Sequence, residues 1–124
     1  MAGLTFDTGA LIALERRRQR IRQIVTVAVR DGVRITIPAP VIVEWWRGRT
    51  AVGEDILAAF DLEVLDDTLA KLAGEALAAV PSATAIDAVV MASAARRGDV
   101  VFTSDVEDLS ALQRHFKGVR VLAV

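Results

Sequence analysis

The sequence contains no cysteine and no tyrosine, only one histidine and three prolines, and only 5 % aromatic residues. Without cysteine there are no disulfide staples, no thiolate metal site and no cysteine nucleophile. The lone histidine, His115, lies in a helical stretch near the C-terminus and reads as a surface or capping side chain, so imidazole acid–base chemistry has little support. No apolar run reaches the ~18–20 residues of a membrane span. The opening residues, Met1 to Asp7, carry neither the basic stretch nor the apolar segment of a secretion signal, so a cytoplasmic protein is expected. Charge of one sign is missing too: 15 basic residues face 16 acidic ones, a formal net charge of −1. Any contact with nucleic acid therefore has to come from local clustering of charge.

What is present suits one packed domain across residues 1–124. At 53 % hydrophobic and 25 % charged, the composition excludes disordered and fibrous classes. Short apolar runs alternate with longer helical patterns. Strands are expected at residues 4–6, 33–37, 62–65, 100–103 and 119–122. The second is rich in β-branched residues and stops at Pro38. Ile21, Ile24, Val25, Ala28 and Val29 recur with helical period and end at Asp31 and Gly32. Other helices are expected at residues 8–14, 39–47, 52–60, 70–80, 85–97 and 106–116. Strands alternating with helices predict a three-layer α/β/α sandwich with a mostly parallel central sheet.

Against this frame the acidic residues fall in telling places. Asp7 closes the first strand, Asp105 follows the fourth, and Asp87 lies in the first turn of a helix. Ligands of open parallel sheets bind beyond the carboxyl ends of the strands, which puts Asp7 and Asp105 on one rim. Taken singly, each aspartate is accounted for by helix capping, and Thr84 with Asp87, like Asp105 with Asp108, has capping-box spacing. Glu44 sits within the apolar run Val41-Ile42-Val43-Glu44-Trp45-Trp46. It is either partly desolvated, which demands a partner, or it faces solvent beside Arg47 and Arg49. Several carboxylates on one rim repel each other, and all-oxygen ligands suit Mg2+ or Mn2+. Such an ion activates water and neutralises charge on a phosphate oxygen.

The ordered set Phe6-Asp7-Thr8-Gly9-Ala10-Leu11-Ile12, Val43-Glu44, Ala85-Ile86-Asp87-Ala88 and Val101-Phe102-Thr103-Ser104-Asp105-Val106-Glu107-Asp108-Leu109 resembles the PIN-domain ribonucleases, and among them the VapC-type toxins of toxin–antitoxin pairs. The resemblance runs over nearly the whole chain. It implies Mg2+- or Mn2+-dependent cleavage of RNA leaving a 5′-phosphate, a homodimer, and inhibition by a cognate antitoxin. The family's acidic site maps onto Asp7, Glu44, Asp87 and Asp105, with Asp7, Asp87 and Asp105 as metal ligands and Glu44 and Asp108 as further ones. Thr103 resembles the family's hydroxyl residue, and Thr8 stands beside Asp7 as a supporting side chain.

Arg16, Arg17, Arg18, Arg20 and Arg22 form a basic cluster that reads either as RNA contact or as an ordinary solvated helix face, and Arg47, Arg49, Arg96 and Arg97 are weaker candidates. Trp45 and Trp46 point about 100° apart on a helix, so they cannot be equally buried. The Asp7-Thr8-Gly9-Ala10 motif also occurs in aspartic proteases, but the helical pattern after it does not suit that fold. A haloacid-dehalogenase-like phosphatase needs an aspartate where Gly9 stands. The rival reading of a different class is a PIN-like module that binds RNA or protein without cutting.

Overall fold

The computed structural model describes residues 2–124. In chain order the elements are β1 (Leu4–Phe6), α1 (Thr8–Glu15), α2 (Gln19–Arg30), β2 (Ile35–Pro38), α3 (Ala39–Trp45), α4 (Ala51–Ala59), β3 (Asp61–Glu63), α5 (Asp67–Ala79), α6 (Ala85–Arg97), β4 (Val100–Thr103), α7 (Val106–His115) and β5 (Arg120–Ala123). The strands line up in the order β3-β2-β1-β4-β5, and every neighbouring pair is parallel. The expected sandwich is present, with a sheet that is wholly rather than mostly parallel.

Parallel neighbours joined by right-handed crossovers put their connecting helices on a face set by the direction of travel across the sheet. From β1 to β3 the chain moves one way, carrying α1 to α4. It then turns back through α5 and α6 to β4 and continues through α7 to β5. The two sets of helices cover opposite faces, and the direction reverses at the crevice between β1 and β4. The core is dominated by Phe6, Leu11, Ile21, Ile37, Leu69, Met91, Leu109 and Leu112, all 0–1 % exposed. Burial of such side chains is worth about 1.5–3 kcal/mol each.

Several boundaries differ from the sequence-based expectation, and local polar contacts explain them. The third strand was expected at residues 62–65. It pairs only from Asp61 to Glu63, because Arg34 holds Asp61 at 2.8 Å and Arg97 holds Glu63, while Val64 and Leu65 stay exposed. Helix α5 starts three residues earlier than expected because Asp66 accepts a hydrogen bond from the Leu69 N–H at 2.8 Å. Helix α3 stops at Trp45, where Trp46 turns to extended backbone.

Between α1 and α2 the Arg17 N–H bonds to the Leu14 carbonyl and the Arg18 N–H to the Ala13 carbonyl, both at 3.0 Å. This is the hydrogen-bond pattern of a Schellman cap, which favours glycine in its left-handed position. Here Arg17 occupies that position with φ 57°.

Buried charge on the sheet is concentrated around Arg97. Its guanidinium donates to Asp99 at 2.9 Å, to Thr5 at 2.8 Å and to Glu63, and the Thr5 hydroxyl donates to Asp99 at 2.9 Å. Asp99 is 5 % exposed and Thr5 fully buried. Removing one partner of such a network leaves the others desolvated and unpaired. The Arg97→Met variant is therefore expected to lose about 3–5 kcal/mol of stability in urea denaturation. A loss below about 1 kcal/mol, the range of exposed ion pairs, would show that water already satisfies these carboxylates.

Candidate active site

The C-terminal ends of β1 and β4 deliver the first two carboxylates. Asp7 ends β1 and caps α1, accepting from the Ala10 N–H at 2.9 Å. Asp105 follows β4 and caps α7, accepting from the Asp108 N–H at 3.4 Å, while its own N–H donates to the Thr103 hydroxyl at 3.1 Å. A backbone bond from the Asp7 N–H to the Phe102 carbonyl, 3.4 Å, ties the two turns together. The capping reading holds for both, and each carboxylate keeps a second oxygen beyond its cap.

Asp7 is only 9 % exposed. Burial pushes its carboxyl above the ordinary value, the Thr103 hydroxyl and the N–H groups of Ala10 and Gly9 draw it back, and the charge of Glu44 adds to the rise. Asp87, in the first turn of α6, is half-buried and capped through its N–H by the Thr84 hydroxyl at 3.1 Å. Burial raises Asp87 as well, opposed by Thr84 and reinforced by the charges of Asp7, Asp108 and Glu44. Asp108 is raised chiefly by the charge of its neighbour Asp105. Four of these side chains therefore share one electrostatic neighbourhood, and Asp105 joins it through Asp108.

Glu44 arrives from α3 on the exposed side of the helix, not in the desolvated setting its apolar flanks suggest. Its partner is neither Arg47 nor Arg49: the Thr8 hydroxyl donates to Glu44 Oε1 at 2.6 Å. Thr8 thereby links the turn after Asp7 to α3. Trp45, the last residue of α3, is buried, and Trp46, in extended backbone just beyond it, is half-buried.

Among the described residues, none of Asp7, Glu44, Asp87, Asp105 and Asp108 forms an ion pair within 4.0 Å, although eight such pairs stand elsewhere on the fold. A divalent ion fits this donor set by its chemistry, being all oxygen and short of positive charge. The described side chains also include no cluster of three or more carboxylates or imidazoles gathered tightly enough to hold an ion by themselves. Only a divalent ion that keeps several of its waters and takes one or two carboxylates is compatible with so open an arrangement.

The same fold is found in known proteins. The PIN domain family matches residues 4–114.

The chain belongs to the PIN-domain family.

Among solved structures, this PIN domain is similar to a chain of a DNA-bound VapBC from Salmonella typhimurium, with a TM-score of 0.70 and 19 % identity over 99 % of this chain and 98 % of that one. It is similar to a chain of a toxin–antitoxin complex from Klebsiella pneumoniae, with a TM-score of 0.69 and 18 % identity over 94 % and 95 %. FitAB bound to a DNA fragment gives a TM-score of 0.65 and 19 % identity over 97 % and 94 %. At such identities the shared property is the fold. No individually curated protein matches the sequence.

The arginines divide into two groups on the PIN domain. Arg16, Arg17, Arg18, Arg20 and Arg22 are exposed and have no carboxylate partner among the described residues, although Arg20 donates to the Ala123 carbonyl at 2.8 Å. Arg49 is engaged with Glu54, Arg96 with Glu63 and Asp66, and Arg97 in the buried network. Arg47 donates to the Trp46 carbonyl at 3.1 Å.

Two residues that sequence reasoning passed over lie between the acidic turns. Gly9 and Ser104 meet face to face, so that a Cβ on Gly9 would stand 2.0 Å from the Ser104 Oγ. The one signal available in the sequence was a glycine in the first turn of a helix, where helix propensity disfavours it.

The raised values of Asp7 and Asp87 have a consequence for stability. A carboxyl raised in the fold binds its proton more readily there than in the unfolded chain. Its contribution is complete below the ordinary value of 3.8 and is lost as pH climbs through the raised value. Metal-free Asp7→Asn, which retains a capping side chain, is expected to unfold at the same temperature as wild type or higher at neutral pH. Its advantage should shrink as pH falls toward 3.8. Thermal unfolding in chelator across that range measures it. A variant clearly weaker at neutral pH would show that the Asp7 charge stabilises the fold through its cap.

Proposed function

We propose that this PIN domain is a metal-dependent endoribonuclease, the VapC-type toxin of a toxin–antitoxin pair. One observation carries the reading: a buried aspartate at the β1–β4 crevice shares its field with Glu44 and Asp87, Asp108 acts on Asp87, and among the described residues no protein cation pairs with any of them. Asp7, Asp87 and Asp105 would hold Mg2+ or Mn2+, with Asp108 as a further oxygen donor. When bound, the ion supplies water of lowered pKa and charge to offset that building on the phosphate.

The remaining work falls to the chain. Glu44, steadied by the Thr8 hydroxyl, would orient the attacking water and take its proton. Thr103, 2 % exposed, holds the Asp7 carboxylate and the Asp105 backbone in register. As the oxygen of water bonds to phosphorus, the 3′ oxygen departs, which leaves a 5′-phosphate on one product. The exposed arginines from Arg16 to Arg22 would hold the phosphate backbone without reading its sequence. Exposed apolar side chains, Val29 at 68 % and Val43 at 77 % among them, supply surface for a second copy of the chain and for an antitoxin. The setting we propose is cytoplasmic. No helix among the described residues is long and apolar enough to cross a membrane.

Cleavage of varied single-stranded RNAs with Mg2+ or Mn2+ tests the activity. Asp7→Asn and Asp105→Asn are expected to cut about a hundredfold more slowly or worse, matching the several kcal/mol that a metal ion contributes. Both should retain wild-type circular dichroism. RNA that survives equally with wild type and both variants would leave a binding module in place of an enzyme.

The arginine strip has its own test in Arg17→Gly. Glycine relieves the left-handed strain of that position, so the variant should be as stable as wild type or more so, by up to about 1 kcal/mol. RNA affinity should nonetheless fall and lose part of its salt dependence. Unchanged affinity and salt slope would show an ordinary solvated cap.

A further inference from the structure

At one place the two acidic turns come unusually close. Gly9 lies two residues after Asp7, and Ser104 immediately precedes Asp105. A Cβ at Gly9 would meet the Ser104 Oγ at 2.0 Å, its Cβ at 2.8 Å and its backbone N at 3.0 Å. Swinging the hydroxyl aside removes only the first of these. The Cβ and backbone nitrogen remain, so the two turns themselves would have to separate. No left-handed φ is recorded for Gly9, so backbone conformation does not demand glycine there. Helix propensity alone favours alanine at this position of α1. What glycine provides is absence of volume.

We propose that Gly9 is a positioning residue that sets the separation of the Asp7 and Asp105 carboxylates, with Ser104 as its steric counterpart. This rests on reading those carboxylates as a divalent-ion site. Asp7 and Asp105 come from opposite ends of the chain and are joined at the site by two kinds of contact. One is the Asp7 N–H to Phe102 carbonyl bond, at 3.4 Å long for a backbone bond. The other is the seat of Gly9 on Ser104. A weak hydrogen bond tolerates a shift of a few tenths of an ångström, whereas a hard steric contact does not, so the packing dictates the spacing. An ion held by carboxylates of both turns would sense that spacing, because its ligand distances tolerate little change.

The test compares wild type, Gly9→Ala and the size swap Gly9→Ala with Ser104→Gly. Mn2+ affinity is read by electron paramagnetic resonance, and thermal unfolding is followed in chelator. Gly9→Ala should bind Mn2+ about 10–100-fold more weakly, the range seen when residues supporting metal ligands are lost. The double variant should recover much of that affinity, short of complete because the Ser104 nitrogen still stands at 3.0 Å. RNA cleavage by Gly9→Ala, if limited by ligand spacing, should rise toward wild type as Mn2+ is increased. A purely structural role would lower the unfolding temperature and leave the Mn2+ affinity of the folded protein unchanged.

Wild-type Mn2+ affinity in folded Gly9→Ala overturns the inference and leaves the nuclease reading standing, as does a double variant as weak as the single one. If Gly9→Ala does not fold, the double variant decides the matter by the same affinity criterion. A wild type that binds Mn2+ but cuts no RNA, with the swap pattern intact, sinks the nuclease reading and keeps the inference. A wild type that binds no Mn2+ overturns both.

Discussion

Mutual repulsion among carboxylates at the end of the sheet is the constraint to which the rest of this structure answers. Asp7 is almost completely buried, and the charges of Glu44, Asp87 and Asp108 act at the same place. The protein does not relieve that repulsion with lysine or arginine, although it pairs acids with bases readily on its other surfaces. It lessens the cost by other means. Asp7 and Asp105 each sit at a helix N-terminus and accept a backbone N–H, and Asp87 occupies the first turn of α6. The positive end of each helix dipole favours negative charge there. Helix ends alone do not neutralise five carboxylates.

The topology explains why the repulsion is borne at this spot. Crossovers run one way from β1 to β3 and the other way from β4 to β5, so a crevice opens where the direction reverses. Only there do two strand ends lack a connecting helix passing over them. The buried ionic network of Arg97, Asp99, Glu63 and Thr5 presents the opposite case. Its carboxylates face guanidinium groups on the spot, although Glu63 Oε1 is buried without a hydrogen bond. One fold thus contains a carboxylate cluster paired with guanidinium groups and another with no such pair among the described residues.

Most of the strands and helices were legible because their signals are local. Alternating apolar runs, Pro38, the Asp31-Gly32 stop and Gly98 act over a few residues and place elements to within a turn. The weak points share a physical cause. Strand β3 is short, exposed and held by ion pairs to Arg34 and Arg97, which hydrophobic pattern does not register. Helix α5 begins where Asp66 caps it, ahead of the apolar periodicity. Glu44 was ambiguous because its apolar neighbours Val41 and Trp45 are buried while Glu44 itself turns outward to Thr8. The arginines could not be sorted by composition, since whether a guanidinium is free depends on partners far off in sequence, Glu63 standing 34 positions from Arg97 and the Thr5 hydroxyl 92.

By itself the sequence determined the class of fold, the succession of elements, and the identity of the acidic residues that close β1 and follow β4, because each of these rests on periodicity and on residues adjacent in the chain. Tertiary structure alone decided that Asp87 and Glu44 share the field of Asp7, that Arg97 pairs with Glu63 and Asp99 while Arg16 to Arg22 have no carboxylate partner among the described residues, and that Gly9 must make room for Ser104. Those outcomes depend on distances between segments up to 95 positions apart in sequence, as Gly9 and Ser104 are. Chain folding creates such distances, and no local pattern encodes them.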